Sequence, residues 1–403
     1  MRVLMVTQFY PPVVGGQERY VRNLSHSLAD RGHGVEVVTI SLDGQEGTTR
    51  DGPVPVHHVR TTAQRLPLLY SDQGRPHAMP TVDPGLRAGI RRVLDTGHFD
   101  VIHAHDWSVN SALGPARRSN TPLVMTQHEY SHVCATKRLM RGAAVCPGPT
   151  LLACLRCASV HHGPIVGPAV VLANNAASRT RSRRVDAFIP VSSVVAERTG
   201  LPGRSRYEVI PNFIPDDLVL DDAVPHPDGP MVFVGDLSQD KGVDVLLEAY
   251  RSLGDVPHLL LAGRELPDTS LDLPERVEHL GSLDHEAVVE LMRTASVVVV
   301  PSIVPDCCPT VVLEAMAAGR PVVAASSGGI VDLVEHGITG LLVPPNDPAA
   351  LADALQSVLS DADMAAAMGR RGLDRVHRFT ASAVVGRIET LYEQLVAADS
   401  AKA

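Results

Sequence analysis

Aromatic side chains are scarce in this sequence: Phe, Tyr and Trp together make up 3% of its 403 residues. That shortage argues against the stacking platforms on which proteins lay single-stranded bases. Excess positive charge is missing as well. Against 36 Lys and Arg stand 45 Asp and Glu, a net charge of −9, so no nucleic-acid partner is expected. No stretch of about 18 apolar residues occurs, which removes a membrane-spanning helix from the expectations. The N-terminal MRVLMVTQFYPP has only a short apolar run before two prolines and reads as a first strand, not a secretory signal. A reducing cytoplasm is therefore the expected compartment, where six cysteines are more often reduced or metal-bound than paired as disulfides. Two familiar phosphate loops, Gly-x-Gly-x-x-Gly and Gly-x-x-x-x-Gly-Lys, are absent.

What is present suits a two-domain α/β enzyme. The length exceeds one ordinary core and fits two domains of about 150 to 200 residues, and 44% apolar with 20% charged residues is a globular composition. Arg2 to Thr7, Val35 to Ile40, Phe99 to His103, Pro122 to Met125 and Val185 to Val191 read as strands. Glu18 to Arg31 is an amphipathic helix with Val21, Leu24 and Leu28 on one face, closing a βαβ unit. Val209 to Pro230, rich in Pro and acids, marks a crossover to a second alternating half. There Met231 to Val234, His258 to Ala262, Val277 to Leu280 and Ser296 to Val300 read as strands. Val243 to Tyr250, Glu286 to Ala295, Val311 to Ala318, most of Leu351 to Phe379, and Ala381 to Ala397 read as helices.

The most informative stretch is PSIVPDCCPTVVLEAMAAGRP, Pro301 to Pro321. A buried strand, a short turn and a helix there aim backbone N–H groups and a positive dipole end at an anion such as phosphate. Asp306 and Glu314 flank the turn with seven residues between them. Ionised carboxylates so placed can accept hydrogen bonds from neighbouring sugar hydroxyls; a solvated turn acid and a surface helix acid are the plainer alternative.

This stretch resembles the E-x7-E element of retaining GT-B glycosyltransferases of glycosyltransferase family four, the glycosyl transferases group 1. The match runs through Pro301, Ser302, Leu313, Glu314, Ala315, Met316, Ala317, Gly319, Pro321, Val322 and Val323, with Asp306 in place of the first Glu. The resemblance covers nearly the whole chain and is weakest from about residue 43 to 97 and in a Cys-rich insertion at about 130–165. It implies a GT-B fold, two doubly wound Rossmann-like domains facing across a cleft. The expected boundaries are 1–208 for the acceptor-side domain, 209–380 for the nucleotide-sugar side, and 381–403 for a helix returning to the first domain. It further implies a retaining transfer of a sugar from a nucleotide diphosphate to an acceptor hydroxyl, the acceptor being a small molecule, a saccharide or a lipid-linked species. Oligomeric state is not legible. Two other readings stay open: a catalytically silent relative that activates a partner, and a GT-B nucleotide-sugar epimerase.

By the same resemblance, Gly15 and Gly16 would touch the donor diphosphate, and His128, in Thr126-Gln127-His128, would meet a hydroxyl near the reacting carbon. His105 is undecided between structure and function. Lys241 would offset charge on the departing phosphate, helped by N–H groups of Cys308, Pro309-linked Thr310 and Val311. Glu314 would hold the ribose hydroxyls and Asp306 the donor sugar. Asp236 stands where the family has Arg, a like-charge contact costing on the order of 2 kcal/mol at about 7 Å and an effective dielectric of about 20. Three escapes exist: the side chain points away, Mg²⁺ bridges it to the phosphates, or Arg264 substitutes. No cofactor is otherwise expected for catalysis. Cys134, Cys146, Cys154 and Cys157 are compatible with a structural zinc stapling a loop-rich insertion without a core, or with plain thiols. The arginine run SRTRSRR, Ser178 to Arg184, reads as a solvated helix face, with weak peripheral attraction to anionic lipid as the sharper option.

Overall fold

Strand β1 (Arg2–Val6) is buried along Val3 to Val6, so both its faces are covered and it belongs mid-sheet. The computed structural model describes residues 1–401 except 14, 66–76, 221–225, 267, 268, 270 and 271; the acid-rich part of the crossover, 221–225, thus lies outside the described residues. The chain divides into two units, Met1–Gly142 with Cys146–Pro211 and Val385–Ala403, and Ala143–Val145 with Asn212–Val384.

In the first unit, β1 is followed by α1 (Gly16–Asp30), β2 (Gly34–Ile40), β3 (Gly47–Asp51), β4 (Val54–Val59), α2 (Pro84–Leu94), β5 (Val101–His105), α3 (Val109–Ser119) and β6 (Leu123–Gln127). After an insertion, β7 (Ala187–Pro190) completes a seven-stranded sheet ordered β3-β4-β2-β1-β5-β6-β7, parallel except for β3 against β4. Strand order reverses between β1 and β5, so loops leaving their carboxyl ends diverge to opposite faces and leave a crevice there. Leu4, Ile102, Met125 and Phe188 from the sheet pack with Ile90 and Leu113 from α2 and α3.

The insertion expected at about 130–165 is loop-rich as far as Thr150 and helical after it. It goes on into α4 (Leu151–His162), and past a break at 163–165 the chain continues as α5 (Val166–Arg184), beyond the expected bound. It also has a small core: Ala158, Val170 and Val171 pack with Trp107 and Ala135. The reason is that 151–162 and 169–184 are free of Gly and Pro and long enough to propagate a helix, and Trp107 offers them an apolar surface.

The second unit runs β8 (Met231–Val234), α6 (Val243–Ser252), β9 (Leu259–Ala262), β10 (Val277–Gly281), α7 (His285–Thr294), β11 (Val297–Val300), α8 (Thr310–Ala317), β12 (Val322–Ala325) and β13 (Gly340–Val343). Its six strands are parallel in the order β10-β9-β8-β11-β12-β13, with the reversal between β8 and β11. Met231, Phe233, Leu261 and Val299 share its core with Leu355 of α9 (Pro348–Ser360) and Met368 of α10 (Ala362–Val376). The last helix, α11 (Ala381–Ser400), belongs with the first unit from Val385 onward. There Glu389 takes Arg31 and His33 as partners, at 2.6 and 2.8 Å.

Candidate active site

The reversal between β8 and β11 is where an open α/β sheet leaves room for a ligand, and the two loops that leave it are joined side by side. The loop after β8 ends in a short turn, Gln239–Lys241, capped by the Ser238 hydroxyl. Its Asp240 carbonyl accepts from the N–H groups of Ile303 and Val304 in the loop after β11. Gly242, at φ 74°, lets this turn press against the other loop, since a Cβ there would collide with the Pro301 carbonyl. Gly328, at φ 60°, does the same beneath Asp306.

Across that seam Lys241 Nζ donates to both oxygens of Asp306 at 2.8 and 2.9 Å, and the Ser302 hydroxyl donates to Asp306 Oδ2 at 2.6 Å. Burial works against the lysine charge, yet Asp306 outweighs it and holds Lys241 above the ordinary lysine range. About a third of the Lys241 side chain stays exposed, and an ammonium has three protons, of which Asp306 takes two. Beyond Asp306 the Asn212 amide donates to the Cys308 carbonyl at 2.7 Å and fixes the turn into α8. Pro309 precedes that helix without a side-chain cap, so the first N–H groups, at Thr310 and Val311, keep their pull on an anion. Cys308 is buried, its thiol pushed up to about 12 by desolvation, which makes it an inert wall. Glu314 is buried one turn into α8.

Asp236 and Arg264, at the carboxyl ends of β8 and β9, meet each other: Arg264 Nη2 lies 3.1 Å from Asp236 Oδ2, with both side chains about half exposed. The acid that looked costly beside a diphosphate therefore has its charge offset within the protein. Arg264 is correspondingly engaged, not an open anion ligand.

In the first unit the reversal between β1 and β5 gathers a second group of residues. Gly15 caps α1 and Gly16 is its first residue. The Glu18 carboxylate folds over Gly15, where any Cβ would collide with it. His103 and His105, two apart on β5, share a face, and His128 follows β6. His105 Nδ1 and His128 Nε2 are 3.1 Å apart with the rings stacked at 5.3 Å, and Tyr20 meets the His128 ring edge-on. Below them His103 is bonded on both nitrogens, to Tyr392 Oη and Thr126 Oγ1, each at 2.6 Å. Burial drives His103 down to about 3 and His105 well below the usual imidazole value, so both are neutral. Next to them Asp106 is raised to about 6 by burial, although Lys137 and the N–H groups of Ser108 and Gln8 pull the other way. His105, undecided from sequence, is thus a buried neighbour of His128. His103 and Tyr392 were missed, and the signal was the His-x-His spacing on one strand.

One expectation about the insertion changes. Of the arginines in 178–184, Arg181 is fully buried and not solvated. It donates to Asn110 Oδ1, Asn174 Oδ1 and the carbonyls of Ser131 and His132, and desolvation lowers it to about 10. Cys134, Cys146, Cys154 and Cys157 do line one small pocket, which suits zinc in donor type. Their sulfurs have other partners, however: Cys146 faces the Gly148 carbonyl, Cys157 the Met140 carbonyl and Cys134 the Thr136 hydroxyl. Among the described residues no group of three or more His, Cys, Asp or Glu is placed to hold a metal ion.

Comparison with known proteins follows the same division. Residues 14–218 match the family described as Glycosyltransferase Family 4, and residues 223–375 match Glycosyl transferases group 1. The glycogen synthase of Mycobacterium tuberculosis is 32% identical over 402 residues, covering 93% of this chain and 90% of its own length. The chain belongs to glycosyltransferase family 4. It is a glycosyltransferase that moves a sugar from a nucleotide donor, and the silent-partner and epimerase readings are not favoured. The D-inositol 3-phosphate glycosyltransferase of Corynebacterium diphtheriae is 28% identical, covering 100% of this chain and 96% of its own. The solved sucrose-phosphate synthase of Thermosynechococcus elongatus aligns with a TM-score of 0.76 at 24% identity, over 98% of this chain and 99% of that one, which shows the fold as GT-B. Among the described residues no helix is long and apolar enough to cross a membrane.

Proposed function

We propose that this glycosyltransferase binds its nucleotide sugar at the β8/β11 reversal of the second unit and transfers the sugar with retention of configuration. The carrying observation is the Lys241–Asp306–Ser302 cluster beside the uncapped start of α8. The third Lys241 proton and the N–H groups of Thr310 and Val311 would take the departing phosphate, whose growing charge they stabilise more than the ground state. Asp306, already oriented by Lys241 and Ser302, would accept from donor sugar hydroxyls, and Glu314 from the ribose. His128, steadied by His105 and Tyr20, would accept from or donate to a hydroxyl near the reacting carbon. A diphosphate approaching Gly15 and Gly16 would have to move the Glu18 carboxylate aside.

Because Arg264 already answers the Asp236 charge, we propose that donor binding needs no bridging Mg²⁺. The two curated relatives named above differ in acceptor by their names, so the acceptor class rests on the carboxyl ends of β1, β2 and β4. There Tyr10, Ser41, Asp43, Thr49 and His58 line a groove of about 410 Å³ suited to a polyhydroxylated acceptor, free, saccharide or lipid-linked. A structural zinc at the four cysteines is a separate proposal, supported by donor type alone. Metal analysis of freshly purified protein decides it, with about one zinc per chain for the proposal and none against it.

The deciding experiment is a panel of UDP-, GDP-, ADP- and TDP-sugars followed by mass spectrometry and thermal shift, with and without Mg²⁺, and by NMR of the product's anomeric proton. One donor should be turned over equally in EDTA, with retention. Inversion of the anomeric centre would overturn the mechanism, and strict Mg²⁺ dependence would overturn the role given to Arg264.

A further inference from the structure

From Tyr130 to Arg184 the chain contains none of its 45 Asp and Glu but eight of its 36 Lys and Arg. In a protein of net charge −9 this is a concentrated block of one sign. The same segment holds the apolar side chains that are most exposed. Leu152, Val160 and Ile165 are 83%, 86% and 86% exposed, whereas outside this segment no described large apolar residue exceeds the 45% of Ile338.

The arrangement on α4 is ordered. Its inner side, through Ala158, packs against α5 and Trp107. Its outer side carries Leu152, Arg156 and Val160, each four residues from the last and therefore in one stripe. Ile165 continues that surface past the turn at Gly163-Pro164 into α5. Beside the stripe lies a groove of about 530 Å³ lined by Arg138, Arg141, Arg156, Met140, Ala153 and Val160.

We infer that this hairpin face docks on an anionic lipid bilayer, with Leu152, Val160 and Ile165 entering the headgroup boundary and Arg138, Arg141 and Arg156 meeting lipid phosphates. Charge complementarity selects this occupant. A protein interface normally mixes both signs around its rim, but the 55 consecutive residues 130 to 184 contain no acid, and although Arg181 is internal and Lys137 pairs with Glu129, the charges left to face outward are cations, which is what a uniformly negative surface attracts. Separate aliphatic tips flanked by guanidinium groups also match the pattern of helices that lie in the interface without crossing it. Of the arginines in 178–184, where weak lipid attraction was expected, Arg179, Arg183 and Arg184 are exposed and only Arg181 is internal, and α4 adds the apolar stripe beside them. This inference does not depend on the donor site.

The test is co-flotation of the full chain with vesicles of phosphatidylcholine alone or mixed with phosphatidylglycerol. Binding is expected to the mixed vesicles only, and to fall when salt rises to about 1 M, where the Debye length is about 3 Å. Reversing Arg138, Arg141 and Arg156 to Glu should weaken partition by at least about fivefold per residue. Leu152→Ser, Val160→Ser and Ile165→Ser together should abolish flotation while the thermal unfolding temperature holds, since these side chains support no core. Equal binding to both vesicle types, no binding, or flotation unchanged in the serine variant would overturn the inference. So would sedimentation showing that the serine substitutions dissolve a dimer while vesicle binding persists.

Discussion

Lys241 and Asp306 are each other's ion-pair partner, and this makes their substitutions distinguishable. Lys241→Ala removes the cation that answers the leaving phosphate, so kcat should fall about 10²- to 10³-fold, the usual loss for a preorganised charge-stabilising donor. Asp306→Asn keeps the shape and loosens the lysine, so KM for the donor should rise more than kcat falls if Asp306 holds sugar hydroxyls. Steady-state kinetics with the identified donor separates the two, and wild-type rates for both variants would displace the site. At position 264, removing the guanidinium leaves Asp236 facing the donor alone, so Arg264→Ala should weaken donor binding, and the double change with Asp236→Ala should restore it. The histidine column in the first unit makes a pH prediction. His103 is held at about 3 by burial first and then by His128, against about 6.5 in the unfolded chain. Between those values the unfolded chain binds the extra proton, so the stability is complete above about pH 6.5 and is lost as pH falls through that window. From pH 7 to 5 the loss should be about 2 kcal/mol for this residue. Thermal melts should therefore decline steeply below pH 6.5, and His103→Gln should shrink that slope without abolishing it, because burial shifts His105 and His132 the same way. A melting temperature flat from pH 7 to 5 would refute the account.

Helix α5 shows how far a local sequence pattern can mislead about an element. Four arginines in 178–184 read as solvent-facing, yet one of them satisfies two side-chain amides and two carbonyls, from its own helix and two other segments. Arg181→Ala would leave the Asn110, Asn174 and His132 acceptors without this donor, while the Ser131 carbonyl keeps the Trp107 indole N–H, and should cost about 3 to 5 kcal/mol, whereas Arg183→Ala, on the exposed side, should stay within about 0.5 kcal/mol. Urea denaturation of both variants measures the difference. The sequence does report which positions a helix contains, but not which turn of it meets Asn110 and Ser131, because those partners are brought up by a sheet order that local spacing does not encode. The same limit explains β3, β4 and α2, which carried no motif. β3 is an exposed antiparallel edge strand whose GTTRD has no apolar alternation to announce it. Where buried strands end in loops with punctuating glycine and proline, as at β8 and β11, both the elements and the positions of Lys241, Asp306 and Glu314 were legible. Pairing was not. That Arg264 meets Asp236, or that Tyr392 meets His103 across almost the whole chain, depends on which strands become neighbours.

At the scale of the whole chain, the first unit is closed by a helix that comes only after the second unit in sequence. The chain leaves that unit at Pro211 and returns at Val385. Ile388, Leu391, Tyr392 and Leu395 of α11 are all buried, and Glu389 is held by Arg31 and His33, with Arg387 bonded to Glu208. Burying four such side chains stabilises by roughly 1.5 to 3 kcal/mol each, together comparable to the entire stability of an ordinary domain. The described core cluster of the second unit runs from Met231 to Met368 and includes none of them. A chain ending at Val384 should therefore lose protection from hydrogen exchange throughout β1, β5 and β6, including the His103 column that Tyr392 caps, while β8, β9 and β11 keep theirs. Donor binding gives a second reading of the same variant. If the nucleotide sugar is held by the second unit, its thermal-shift response should survive truncation even though turnover disappears. Loss of exchange protection in β8 and β11 as well would mean that the second unit depends on α11, and loss of donor binding with those strands still protected would remove the donor site from Lys241, Asp306 and Glu314.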